Sequence, residues 1–304
     1  MTHNHIIRTE GLTKHFGKFE AVRGLNLSVE GGQITGFLGR NGAGKTTTVK
    51  MLLGTTHPTS GAGTVLGKDI TDSKQNREMR RRVAYVGEDK QLYAYMTVHQ
   101  LIRFTRSFYC DWSTETEEGL LKQYELPLNR KVKALSKGMR TKLALLLAFS
   151  RRPELLILDE PSEGLDPVSI EEMLQTLVAA ASQGTTVFFS SHQIDEVERI
   201  ADRVCMIDHG ELILDTSLDQ VRQNYRRITL GFALQPPAHS QFLRMPGVEG
   251  LEMNGRQITL LASRDVDAIA AQARRVGAVS VEVDPVTLRE LFLERVRAKS
   301  NALV

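Results

Sequence analysis

The chain has 304 residues, 41% of them apolar and 25% charged, enough for one large domain or a large domain with a small one. A net charge of +3 points to neither a nucleic-acid nor an acidic partner. Two cysteines, Cys110 and Cys205, lie outside any CxxC or Cys/His cluster, which argues against a disulfide framework or a cysteine-held metal and suits a reducing compartment.

The first residues, Met1 to His5, are polar and lack the apolar centre of a signal peptide. No apolar run approaches the roughly 20 residues a bilayer span needs. The longest, Leu143 to Phe149, stops before Arg151-Arg152. Residues 6–30 read as two or three strands, from the alternation at 6–9 and 24–29, with Gly31-Gly32 as the turn that follows. Ile34 to Leu38 reads as a buried strand and Thr46 to Leu53 as the start of a helix. Between them, Gly39-Arg40-Asn41-Gly42-Ala43-Gly44-Lys45-Thr46-Thr47 fits G-x-x-x-x-G-K-[ST]. Glycines 39, 42 and 44 let the backbone turn its N–H groups inward toward phosphate oxygens, and the helix adds its positive end. Lys45 supplies a cation for β- and γ-phosphates, and Thr46 a hydroxyl for Mg²⁺. Phe16, just before Gly17, has two readings: a platform for an adenine ring, or a core side chain.

Residues 55–72 are loop-rich, with a strand at 64–66 and a turn at 67–69. The arginine-rich stretch 77–82 ends a helix, and Val83 to Val86 is a buried strand ending at Gly87-Glu88-Asp89. The short basic runs Arg80-Arg81-Arg82, Arg151-Arg152 and Arg226-Arg227 read as solvated surface at element ends. From Thr97 to Gln123 the pattern is helical, with a loop near 111–113. Leu135 to Met139 opens an apolar helix that runs to about Arg151. Leu155 to Leu158 is a buried strand that delivers Asp159-Glu160 at its carboxyl end, where open parallel sheets bind ligands. Adjacent carboxylates there divide the work: Asp159 holds Mg²⁺ and Glu160 polarises the attacking water. A helix begins at Pro167, a buried strand over 185–191 ends at His192, and 204–214 reads as a hairpin.

Beyond Tyr225 the texture changes. A strand at 228–234, a short helix at 238–245, a hairpin turning at Asn254-Gly255, a helix at 265–275 and a strand at 279–283 follow in β-α-β-β-α-β order. A last helix spans 285–297. This part carries no catalytic constellation; regulation, self-association and passive stabilisation all stay open for it.

These motifs, in this order, resemble the nucleotide-binding subunit of an ATP-binding cassette (ABC) transporter over roughly residues 5–222. Phe16 matches the family's adenine-stacking aromatic, residues 39–47 its Walker A loop and 155–160 its Walker B strand. Leu135 to Met139 occupy the signature position, Asp166 the D-loop aspartate and His192 the switch histidine. Two departures stand out. The signature reads Leu135-Ser136-Lys137-Gly138-Met139 where LSGGQ is usual, and Glu88 replaces a glutamine. Lys137 either adds charge or points to solvent; Glu88 either binds Mg²⁺ or repels the γ-phosphate.

The resemblance implies a P-loop NTPase α/β fold, with a RecA-like core plus antiparallel and helical subdomains over 1–224. A small α+β domain over 225–304, resembling a ferredoxin-like unit, would follow. It implies an ATPase using ATP and Mg²⁺ in a head-to-tail dimer, with a second copy or a paralogue. Ser136 and Gly138 of one subunit would face the ATP of the other. Glu160, His192 and Lys45 would act in hydrolysis, with Thr46, Asp159 and Glu88 toward the metal. The partner implied is an integral membrane permease for export, reached through Leu92, Tyr93 and Tyr95, with the chain on the inner face of the cell membrane. The alternative is an ABC ATPase without a permease; the single cassette and the lack of long heptad runs weigh against it.

Overall fold

A computed structural model describes residues 5–237 and 240–302. The chain divides into two compact units, Met1–Leu212 and Ile213–Val304.

In the first unit, β1 (His5–Phe16), β2 (Phe19–Leu25) and β3 (Ser28–Glu30) begin an antiparallel sheet. The alternation at 6–9 marked only the start of β1, which runs on to Phe16 and turns back at Gly17-Lys18. Next comes β4 (Ile34–Gly39), buried at every position, then α1 (Lys45–Leu52). The chain returns to the first sheet with β5 (Ser60–Val65) and β6 (Lys68–Asp69), completing the order β2-β1-β5-β6 with β3 on β1. Helix α2 (Ser73–Arg82), capped by Asp72, leads to β7 (Val83–Val86).

The helical stretch then forms α3 (Val98–Arg106), α4 (Thr114–Gln123) and α5 (Lys137–Phe149). A capping box of Thr97 and Gln100 starts α3, Ser113 caps α4 and Ser136 caps α5. After α5 come β8 (Leu155–Asp159), α6 (Pro167–Ser182), β9 (Thr186–Ser191), α7 (Ile194–Ile200), β10 (Arg203–Asp208) and β11 (Glu211–Ser217). The second sheet has the order β11-β10-β4-β9-β8-β7. Its pairs β10/β4, β4/β9, β9/β8 and β8/β7 are parallel. Strands buried on both faces explain the unbroken apolar runs at 155–158 and 187–189. One apolar cluster, including Val22, Leu25, Phe37, Leu52, Ile157 and Phe188, fills the space between the two sheets.

The basic runs are not merely solvated. Arg80 donates from Nε to Leu53 O and from Nη2 to Gly54 O, both at 3.0 Å, closing the end of α1. Arg82 pairs with Glu154 at 2.5 Å. Arg151 donates to Val83 O at 2.9 Å and stacks 4.0 Å from the Tyr109 ring, with burial pushing its pKa down. Each guanidinium satisfies carbonyls or a carboxylate that sequence alone does not reveal as neighbours.

In the second unit, α8 (Leu218–Asn224) precedes β12 (Arg226–Phe232), α9 (Ser240–Leu243), β13 (Val248–Asn254), β14 (Gln257–Ala262), α10 (Val266–Arg275), β15 (Ala278–Pro285) and α11 (Leu288–Ala302). The sheet order β13-β14-β12-β15, with all pairs antiparallel, is the split βαβ arrangement of a ferredoxin-like unit. Its core centres on Ile228, Leu230, Phe242, Leu260 and Ile269. Residues 238 and 239 of the expected short helix lie outside the described residues. The hairpin turn sits one residue later than expected. Asn254 pairs with Gln257, so the two-residue loop is Gly255-Arg256, with Gly255 at φ +59° as a glycine-first turn requires.

Candidate nucleotide-binding and hydrolysis site

The carboxyl ends of β4, β8 and β9 lie side by side, because Leu38 pairs with Ser191 and Asp159 with Ser190. From these three ends project the glycine loop, Asp159-Glu160 and His192.

The glycines serve different purposes. Gly42 and Gly44 stand at φ +82° and +108°, where side chains are strained. At Gly39 a Cβ would meet Ile207 O at 2.6 Å, so that glycine is required by close approach rather than by conformation. Ala43 is buried and its carbonyl accepts from Gly210 N at 2.9 Å, which anchors the loop while Arg40 and Asn41 stay exposed. Helix α1 begins at Gly44 with no side-chain cap, so no side chain competes for the N–H groups of its first turn. Lys45 is buried; its ammonium donates to Gly39 O at 2.7 Å and Arg40 O at 3.2 Å. It also lies 3.0 Å from Glu160 Oε1, as an ion pair outside hydrogen-bond angle.

Glu160 is buried and held at φ +50°, a left-handed backbone that costs a non-glycine residue about 1–2 kcal/mol. Two bonds fix it. Its N–H donates to Ser190 Oγ at 3.1 Å, and its Oε2 lies 2.8 Å from His192 Nδ1 and 3.3 Å from His192 N. With a carboxylate as acceptor, the His192 proton sits on Nδ1. Ser190 was not singled out by sequence. It also donates to Asp159 Oδ1 at 2.6 Å, so one buried hydroxyl orients the Asp159 carboxylate and pins the Glu160 backbone. The only signal was its place at the tip of an apolar strand. Glu196 was missed as well; it is buried, accepts from Ser191 Oγ at 3.0 Å, and is held above the usual carboxylate range chiefly by burial.

A cavity of about 610 Å³ is lined by Asn41, Gly42, Gly44, Lys45, Thr46, Thr47, Glu88, Glu160, Glu163, His192, Phe19 and Ala21. Thr46, Glu88 and Asp159 share a second, of about 420 Å³. The chemistry fits a magnesium nucleotide. Asp159 Oδ2 is buried with no hydrogen-bond partner, beside a hydroxyl on a helix whose N-terminus no side chain caps. Among the described residues no group of three His, Cys, Asp or Glu is placed to hold a metal alone; Mg²⁺ ordinarily takes one or two carboxylates plus phosphate oxygens. Glu88 faces Glu163, and burial, then that neighbour's charge, holds its carboxyl above the usual range.

Not every expected residue gathers here. Phe16 is half exposed, with Lys14 Nζ 5.1 Å from its ring, and does not line either cavity. Its cross-strand partner Phe19, which the sequence reading passed over, does. Ser136 and Gly138 line neither cavity; Ser136 Oγ accepts from Met139 N at 3.1 Å. Asp166 caps α6, accepting from Ser169 N and Oγ, and these bonds hold its carboxyl below the usual range.

The ABC transporter family pattern matches residues 22–163. The bacitracin transport ATP-binding protein BcrA of Bacillus licheniformis is 37% identical over 225 residues, covering 73% of each chain. The daunorubicin/doxorubicin resistance ATP-binding protein DrrA of Streptomyces peucetius is 32% identical, over 88% of this chain and 80% of its own. A solved ATP-binding subunit of an ABC transporter superposes with a TM-score of 0.65 at 28% identity, covering 72% of this chain and 92% of its own. The P-loop, the paired strand-tip carboxylates and these likenesses agree: the chain belongs to the ABC transporter family, as an ATP-binding, ATP-hydrolysing subunit.

Proposed function

We propose that this ATPase drives export through a separate integral membrane permease, working as a head-to-tail dimer on the inner face of the membrane. The observation that carries the reading is a division of the site. Glu160 lies between Lys45 and His192, whereas Ser136 and Gly138 line neither cavity. A second cassette, a second copy of this chain or a paralogue, would complete each site with those two residues. The names of BcrA and DrrA, for bacitracin transport and drug resistance, support export. The nucleotide-binding part extends through residue 224, with 225–304 as an accessory part.

In this reading the 39–47 loop and Lys45 hold the phosphates of ATP. Mg²⁺, held by Thr46 and Asp159 with Glu88 facing the same cavity, would neutralise phosphate charge. Glu160 takes the proton of the attacking water; His192 orients that carboxylate through Nδ1 and contacts the γ-phosphate. Ser190 keeps the Asp159 carboxylate and the Glu160 backbone in place. The attack breaks the γ-phosphoryl bond, giving ADP and phosphate, and their release lets the dimer open.

The β1–β2 turn supplies the adenine platform. Phe16→Ala is expected to weaken ATP binding by about 1–3 kcal/mol, and GTP binding similarly, because stacking tolerates any base. Fluorescence titration of both nucleotides checks it. A loss in Phe19→Ala with none in Phe16→Ala would move the platform to the other member of that cross-strand pair.

Tyr95, Tyr93, Phe104 and Phe108 form an exposed aromatic row, with successive ring centroids 6.0, 5.4 and 5.1 Å apart. Sequence reading named the tyrosines of this row; the phenylalanines come from α3 and beyond it. We assign it, with Leu92, to the permease. Tagged chain isolated from native membranes with ATP and Mg²⁺ is expected to bring down an integral membrane protein in stoichiometric amount. Tyr93→Ser with Phe104→Ser should lower that recovery about tenfold or more, as for buried interface aromatics. Recovery of soluble partners alone would favour an ATPase without a permease.

A further inference from the structure

Lys137, the residue that departs from the usual signature, is half exposed but held along the protein surface. Its stem lies across Gly164. A Cβ built there would fall 2.6 Å from Lys137 Cδ and 2.8 Å from Cγ, at a backbone already at φ +81°. The ammonium ends 2.5 Å from Glu163 Oε1. The next residue packs as closely: a Cβ on Gly138 would meet Gly164 O at 3.2 Å. Helix α5 is thus strapped, within one chain, to the loop that carries Glu160 and Asp166. That loop is closed by its own bonds, Glu163 N to Glu160 O at 3.2 Å and Leu165 N to Ser162 O at 3.0 Å. Glu163 also lines the P-loop cavity, and its hydrogen bond from Lys137 holds its carboxyl below the usual range.

We propose that Glu163 competes with the triphosphate of ATP for Lys137. The inference rests on the head-to-tail dimer, in which Ser136 and the start of α5 face the ATP held by a second copy. Lys137 stands at the first position of that helix, beside Ser136, and has one ammonium for two anions. While Glu163 holds it, the incoming phosphate meets a neutralised cation; closure of the dimer requires the lysine to change partner. Both side chains are partly exposed, at 50% and 38%, so the pair is weak enough to exchange. The pair therefore sets the ATP concentration at which the dimer closes.

The test uses the full chain carrying Glu160→Gln, so that bound ATP is not consumed, and reads the monomer–dimer equilibrium by light scattering as Mg-ATP is titrated. Adding Glu163→Gln is expected to lower the half-maximal ATP concentration about two- to fivefold, the range of an exposed ion pair. Adding Lys137→Met is expected to raise it. With both, the midpoint should equal that of Lys137→Met, since a competitor has no effect once its target is gone. A Glu163→Gln shift of equal size with and without Lys137, or no shift at all, overturns the competition while leaving the dimer standing. Absence of any ATP-dependent dimer in the Glu160→Gln parent overturns the dimer and, with it, this inference.

Discussion

Glu160→Gln is expected to lower kcat for ATP hydrolysis by about 10²- to 10⁴-fold while ATP binding is kept. The amide has the shape of the carboxylate but cannot take a proton from water. The surrounding geometry should survive, because its anchors do not depend on the charge. Glu160 N still donates to Ser190 Oγ, and Lys45 still donates to Gly39 O and Arg40 O. The amide oxygen can accept from His192 Nδ1 as the carboxylate does. Steady-state phosphate release and equilibrium dialysis with ATP, measured side by side, decide it. Unchanged turnover would sink the assignment of Glu160 as base.

Lys45→Met should have the opposite profile, losing binding first. Methionine keeps most of the stem's volume and removes the charge. A hydrogen bond from an ammonium to a phosphate oxygen is worth about 1.5–3 kcal/mol, so without it ATP affinity should fall roughly 10- to 100-fold or beyond. A second effect concerns the protein alone. Lys45 and Glu160 have side chains only 6% and 8% exposed, and removing one partner of a buried pair costs about 3–5 kcal/mol at most. His192 offsets part of this by holding Oε2, but Oε1 has no hydrogen bond. The reverse deletion is milder, since Lys45 keeps two carbonyl acceptors. Lys45→Met should therefore melt lower than Glu160→Gln, and adding Glu160→Gln to Lys45→Met should restore stability rather than lower it further. Thermal unfolding of the three chains without nucleotide checks the order; additive losses would show that the pair is not coupled.

The parts of the molecule legible in the sequence are those where one local rule sufficed. The glycine loop between an apolar strand and a helix, and four apolar residues ending in Asp159-Glu160, gave positions that the structure places at adjacent strand ends. The split βαβ order was readable from element sequence alone, and the sheet adopts the matching strand order. What escaped depended on partners distant in the chain. Ser190 is an ordinary strand-end serine until parallel pairing sets it against Asp159. The arginine runs looked solvated because their carbonyl and carboxylate partners lie tens of residues away, as Leu53 does from Arg80. Helices α7 and α8 have seven residues each, about two turns, too short for a periodic pattern to stand out. The one-residue error in the hairpin arose because Asn-Gly is a strong turn signal, yet Asn254 is taken into the ladder opposite Gln257.

The left-handed backbone at Glu160 sets heat tolerance against turnover at a single codon. Glycine there would relieve about 1–2 kcal/mol of backbone energy, and asparagine part of it, while both would abolish proton transfer. A library of this chain selected only for survival of heating should therefore drift away from glutamate at position 160, enriching folded, inactive cassettes. Selection that also demands hydrolysis has to find its stabilising changes elsewhere.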